Sequence, residues 1–196
     1  MKQFRNIFAA LIFLLAPAFA QTSTWTIDPM HSAAEFSVRH LAISNVKGNF
    51  TKVGGTVQLD EKDITKSSVD AVIDATSIDT RVADRDADLK SPKFFDVAKF
   101  PTLTFKSKKI EKNGDKLSLT GDLTIHGVTR EVVLDLEPSG AAITDPWGNE
   151  RRGFAATTKI VRQDFGLVWQ GTTKTGEMVI GDEVKISLEI ELVKKK

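Results

Sequence analysis

Apolar side chains recur at every second position along most of this chain, which is the signature of strands with one face buried. Ala34, Phe36 and Val38 alternate with Glu35, Ser37 and Arg39, as in a half-buried antiparallel strand. The same alternation recurs through Val69, Ala71, Ile73 and Ala75, through Leu103 and Phe105, and through Leu117, Leu119, Leu123 and Ile125 with Gly121 in phase. It continues through Val132, Leu134 and Leu136, and it is cleanest in Val184, Ile186, Leu188, Ile190 and Leu192. Turn residues separate the runs: Gly54-Gly55, Asn113-Gly114-Asp115, His126-Gly127, Pro138-Ser139-Gly140 and Asp145-Pro146-Trp147-Gly148. Asn-Gly between two alternating runs is a strong hairpin signal. About eight evenly spaced strands without βαβ alternation predict an all-β domain, a single antiparallel barrel or sandwich.

One helical insert interrupts the pattern. Around residues 81–90 the spacing of Val82, Asp86 and Leu89 predicts a short helix, followed by an elbow holding Phe94, Phe95 and Phe100 between Pro92 and Pro101. So many large rings need cover: they form either a lid over one barrel end or part of a ligand groove.

The first residues read as a cleavable export signal. Lys2 and Arg5 precede the apolar run Ile7 to Leu15, and Ala18-Phe19-Ala20 supplies the small residues of a cleavage site. Residues 1–20 are therefore set apart from a domain over 21–196. The chain has no cysteine, so a lipid anchor at the N-terminus is excluded, a free periplasmic protein is expected, and the fold must rest on its core without disulfides. Of the 27 basic and 26 acidic residues, removal of Lys2 and Arg5 leaves 25 and 26, a near-neutral balance that gives no electrostatic case for nucleic acid. Lys194-Lys195-Lys196 reads as a solvated tail or a weak contact to an anionic membrane.

An ordered set of short motifs carries a resemblance. Trp25-x-Ile27-Asp28-x-x-His31-Ser32 leads into Phe36-x-Val38-x-His40 and Val46-x-Gly48-x-Phe50. There follow Arg85-Asp86-x-x-Leu89-x-Ser91-x-x-Phe94-Phe95-Asp96, Phe100-Pro101-x-x-x-Phe105-x-Ser107, Gly121-x-Leu123-Thr124-x-x-Gly127-Val128-Thr129 and Arg162-x-Asp164-Phe165-Gly166. Together these resemble the YceI-like family of bacterial periplasmic lipid-binding proteins. The resemblance implies a lipocalin-like antiparallel barrel enclosing a long apolar chain, typically a polyisoprenoid, and binding or carriage rather than catalysis. The family often has a basic residue or histidine after the Arg-Asp pair, where this chain has Ala87-Asp88, so head-group preference is expected to differ.

The candidate chemistry is sparse. With three histidines and no cysteine, a metal site would need His31, His40 and a carboxylate such as Asp28 to converge; no metal is expected. Asp28 and His31 flank Pro29-Met30, so they form a local turn or touch a ligand head group. His40 keeps the inward phase of Phe36 and Val38 and belongs near a barrel mouth, either bonded to backbone or facing a ligand. His126 has the phase of Ser118, Thr120, Asp122 and Thr124 and is expected to face solvent. Arg81 and Arg85 are four residues apart, able to fork toward a phosphate or to pair with Asp84, Asp86 and Asp88. Arg162 or Asp164 is expected to bind backbone at a strand end. No Gly-x-Ser-x-Gly elbow, Walker motif or dinucleotide fingerprint is present, so no enzyme is expected.

The expected function is a periplasmic carrier of a long-chain amphiphile, a polyisoprenoid, an isoprenoid quinone or a fatty chain. Its expected binding residues are Phe36, Val38, His40, Arg85, Phe94, Phe95, Leu103, Phe105, Leu119 and Leu123, with His31. The small inward residues Ala34, Ala71, Ala75, Gly121 and Ala156 either leave room along the axis or fill a taper against the phenylalanines. No cofactor is expected beyond a bound isoprenoid-type lipid; transient membrane contact and a homodimer through Phe-rich edges fit the same reading. Two rivals stand beside it: a quinone-linked redox accessory protein, and a filled, ligandless envelope-stress β-domain.

Overall fold

The computed structural model describes residues 22–137 and 140–195; the expected export signal and the Pro138-Ser139 part of one expected turn lie outside them. The alternating segments become strands β1 (Thr22–Ile27), β2 (Ala33–His40), β3 (Ser44–Phe50), β4 (Val53–Asp60), β5 (Ser68–Asp74) and β6 (Ile78–Asp79). After the helix α1 (Ala83–Lys90) come β7 (Thr102–Asn113), β8 (Lys116–Ile125), β9 (Val128–Glu137), β10 (Ile143–Thr144), β11 (Glu150–Val161) and β12 (Ile180–Lys194).

Three long strands are each broken once. β1 and β2 both pair with β12 on the same edge, while β4 and β3 run on beside them; β5 and β6 continue the third stave. With each broken pair taken as one stave, the order leads through β7, β8, β9 and β11, and the β11–β12 ladder from Arg151↔Val193 to Val161↔Glu183 closes an eight-stranded antiparallel ring. Closure leaves few unpaired strand edges, of which β10 is a two-residue remnant.

Local chemistry places the turns. Asn113 pairs with Lys116 across Gly114, which has φ +63°. His126 and Gly127, at φ +52° and +74°, form the two-residue loop between Ile125 and Val128, the conformation favoured by the strands' twist. Gly54-Gly55, expected as a turn, instead lies inside β4. A Cβ on Gly55 would lie 2.4 Å from the Asp70 carbonyl of β5, so the glycine serves close backbone approach.

The two ends differ in construction. One carries the tight 113–116 hairpin and the β4–β5 connection, over a core containing Trp25 and Leu59 at 0% and 2% exposure. The other is covered by α1, the elbow 91–101 and the connection 162–179, and is called here the helix end. There Leu89, Phe95 and Val97 pack onto Phe50, Ile78 and Leu103. The helix begins at Ala83 rather than at residue 81. Arg81 therefore precedes it in a left-handed conformation, φ +64°, and does not share a helical face with Arg85.

Candidate ligand cavity

Inward-facing residues of all eight staves line an interior cavity of about 420 Å³, within the size range of small-molecule sites. Phe36, Val38, His40, Leu103, Phe105, Leu119 and Leu123 line it from the strands, and Arg85, Phe94 and Phe95 from the insert. Ten of the eleven residues expected at a ligand site are thus brought to one cavity. His31 is not: it stands exposed at the β1–β2 break, its Nδ1 2.9 Å from Asp28 Oδ2, while Met30 N–H donates to Asp28 Oδ1. The turn role weighed for this pair is what the structure shows.

The wall is apolar because each strand contributes one face. Phe36 contacts Phe50 at 5.9 Å between ring centroids, and Phe50 meets Phe95 edge-on at 5.7 Å, linking β2 and β3 to the elbow. Gly121 does not leave room along the axis: the Phe105 ring lies over it, and a Cβ there would come within 2.4 Å of Phe105 Cζ.

Polar lining gathers at the helix end. Arg85 Nε donates to Thr80 Oγ1 at 2.8 Å and its Nη2 to the Thr80 carbonyl at 2.9 Å. Asp86 accepts from Thr80 N–H and Oγ1. Arg85 is therefore positioned through the 3%-exposed Thr80 and not through the neighbouring aspartates. Asp88, one of the two residues that follow the Arg85-Asp86 pair, lines the cavity and is held by Lys93 Nζ at 2.9 Å. Arg162, 4% exposed, donates to the carbonyls of Leu167, Trp169 and Gly181 and to Asp182. This fixes Trp169 5.5 Å from Phe94, with Lys93 Nζ 5.4 Å from the indole. His126 is half-buried and sits edge-on to Phe100 at 4.6 Å, a correction to the solvent-facing expectation that keeps it outside the cavity.

Sequence reasoning missed Trp169 and Leu167 as lining residues; they lie in irregular chain after Gly166, where no periodicity marks the inward side. Val184, Ile186 and Leu188 also line the cavity, and their clean alternation was signal enough to find them.

A separate ionic cluster lies at the β1–β2 break. Asp28, His31 and Glu191 bring one donor atom each within 4.8 Å of one another. Arg151 Nη1 donates to both Asp28 and Glu191, and its Nε to Asp145, so a guanidinium stands where a cation would compete. The His31 contact, assisted by Arg151 and the Met30 N–H against the cost of burial, holds the Asp28 carboxyl down at about 2. The same arginine holds Asp145 well below the usual carboxylate range, and the carboxylates push Arg151 further up. His31, just before β2, and His40, its last residue, lie at opposite ends of that strand and do not converge.

These features define a class: an eight-stranded antiparallel barrel around an apolar cavity, with His40, Arg85, Asp88 and Arg162 at one end of it. The chain belongs to the YceI-like family, whose domain matches residues 25–192. It is 39% identical to a UPF0312 protein of Vibrio parahaemolyticus, over 97% of this chain and 99% of that one, and 38% identical to Protein YceI of Salmonella agona, over 96% and 95%. Among solved structures, the YCEI protein of Campylobacter jejuni superposes with TM-score 0.68 at 34% identity, covering 81% of this chain and 90% of that one. A polyisoprenoid-binding domain from Saccharophagus degradans shares the fold with TM-score 0.63 at 15% identity, covering 87% and 98%.

Proposed function

We propose that the chain is a periplasmic carrier of a single-chain amphiphile, most simply a polyisoprenoid or isoprenoid quinone. The observation that carries this reading is the cavity itself: about 420 Å³ enclosed by aliphatic and aromatic side chains of a closed ring. Burial of each methylene there stabilises by roughly 0.8 kcal/mol before ordering costs, so a chain of about ten methylenes binds usefully without strong polar contacts. His40 and Arg85, lining the cavity at the helix end, are the groups available to a head. The Saccharophagus relative, a polyisoprenoid-binding domain, and the export signal expected over residues 1–20 support the same reading.

Native mass spectrometry of the protein purified from its own periplasm, followed by organic extraction, tests the proposal. A stoichiometric isoprenoid, quinone or fatty-chain adduct supports it and names the ligand class. A clean apoprotein mass with no uptake of added lipid overturns it in favour of a filled, ligandless domain.

A further inference from the structure

The hairpin tip between β2 and β3 breaks two ordinary rules. Leu41 and Ala42 both adopt left-handed backbone, φ +50° and +57°, which side chains with a Cβ rarely accept and which glycine or asparagine normally fills. The tip is nevertheless apolar, and Ile43 is 78% exposed. Three hydrogen bonds hold the tip: Arg39 Nη2 donates to the Ala42 carbonyl at 2.7 Å, Ile43 N–H to the His40 carbonyl, and Leu41 N–H to the Val179 carbonyl. Strain of this kind held in place by surrounding bonds is a pointer to function.

The tip lies at the helix end, directly after the cavity-lining His40. Two further aliphatic side chains are exposed at the same end: Val168, 65%, beside Trp169, and Val82, 46%, at the start of α1. We propose that this end docks on a phospholipid bilayer, with Ile43 and Val168 entering the interface and Trp169 and Lys93 at head-group depth. The proposal rests on the carrier reading for its purpose, since an amphiphile must leave a membrane to enter the cavity. Isolated protrusions at one end of the barrel suit a fluid interface, whereas a folded protein partner needs a continuous face of roughly 800 Å². Residues 79–101, which form much of this end, carry five cations (Arg81, Arg85, Lys90, Lys93, Lys99) against five aspartates (Asp79, Asp84, Asp86, Asp88, Asp96), and Lys93 pairs with Asp88, so docking is apolar, works on neutral phosphatidylcholine and changes little with salt.

The three tryptophans report which end docks. Trp25 is fully buried, Trp147 is 79% exposed on the β10–β11 turn at the opposite end, and Trp169 is at the helix end. With vesicles of brominated phosphatidylcholine, quenching is expected to persist in Trp147→Phe and to vanish in Trp169→Phe. Ile43→Asp with Val168→Asp, both on exposed positions, is expected to weaken vesicle binding by about tenfold or more. Uptake of a prenyl alcohol delivered from cyclodextrin is expected to be unchanged in that double variant. Quenching that follows Trp147, or no vesicle binding by the unaltered protein, overturns the docking proposal. Vesicle binding without uptake of the prenyl alcohol leaves docking standing and overturns the carrier reading instead.

Discussion

Arg151 and Asp28, 123 residues apart in sequence, meet through a 2.7 Å bond from Nη1 to Oδ2. The contact joins β11 to the break between β1 and β2, and Asp145 and Glu191 complete the arginine's partners. Asp28 titrates at about 2 in the fold against 3.8 when unperturbed, and Asp145 is also depressed. A depressed carboxyl contributes stability that is present above its unfolded value and is lost as pH falls toward its folded one. The urea midpoint is therefore expected to stay level from neutral pH to about 5 and to fall between about pH 5 and 2. Arg151→Ala should lower stability at pH 7 and make that acid slope shallower, because Asp145 loses its strongest partner and Asp28 keeps only His31 and the Met30 N–H. An unchanged slope in the variant would remove the arginine from this account.

Phe36 stands in the wall between β12 and β3, against Phe50. Phe36→Asp places a carboxylate against the bound chain and is expected to strip most of the lipid recovered by extraction, while circular dichroism still reports the barrel. Full lipid content in a folded variant would count against this wall as the binding surface.

Gly121 seats the Phe105 ring, and a Cβ there would also fall 2.6 Å from the Lys106 carbonyl. Gly121→Ala must displace the ring or the β7 backbone, at a cost of about 2 kcal/mol. Thermal unfolding of the variant measures this; a midpoint equal to the parent's would mean that the ring swings aside freely.

Arg162 ties four acceptors, Leu167 and Trp169 within the 162–179 connection and Gly181 and Asp182 just beyond it. Lysine keeps the charge but cannot fork to several carbonyls at once. Arg162→Lys should leave buried acceptors unpaired, destabilise by about 2 kcal/mol, and speed amide exchange at residues 167–171. Parent-like exchange there would show that the connection is held by Trp169 and Phe94 alone.

Where side chains alternate, the sequence was a sufficient guide. The phase of Phe36 and Val38 placed His40 in the cavity, and Asn113-Gly114 located its hairpin. The breaks in the long strands were illegible, because Asp28 to Ser32 reads as an ordinary turn between two separate strands and only the shared pairing with β12 shows one interrupted stave. Gly54-Gly55 misled because close approach of two strands and a tight turn select the same residue. Arg85 was read against the aspartates of its own helix, whereas its partner, Thr80, precedes the helix. His31 fell outside the cavity because a residue in a turn carries no strand phase to say which way it faces.

Ring closure has a consequence for the order of assembly. β12 is the last of the described strands and pairs with β11, β1 and β2, so the ring closes only when the fifteen residues of β12 are available. Until then the rest is an open sheet with its apolar face uncovered, slow to complete because its decisive contacts span the whole sequence. A chain cut short before Ile180 would be left in that state permanently, which makes the C-terminal strand the step that commits the protein to its fold.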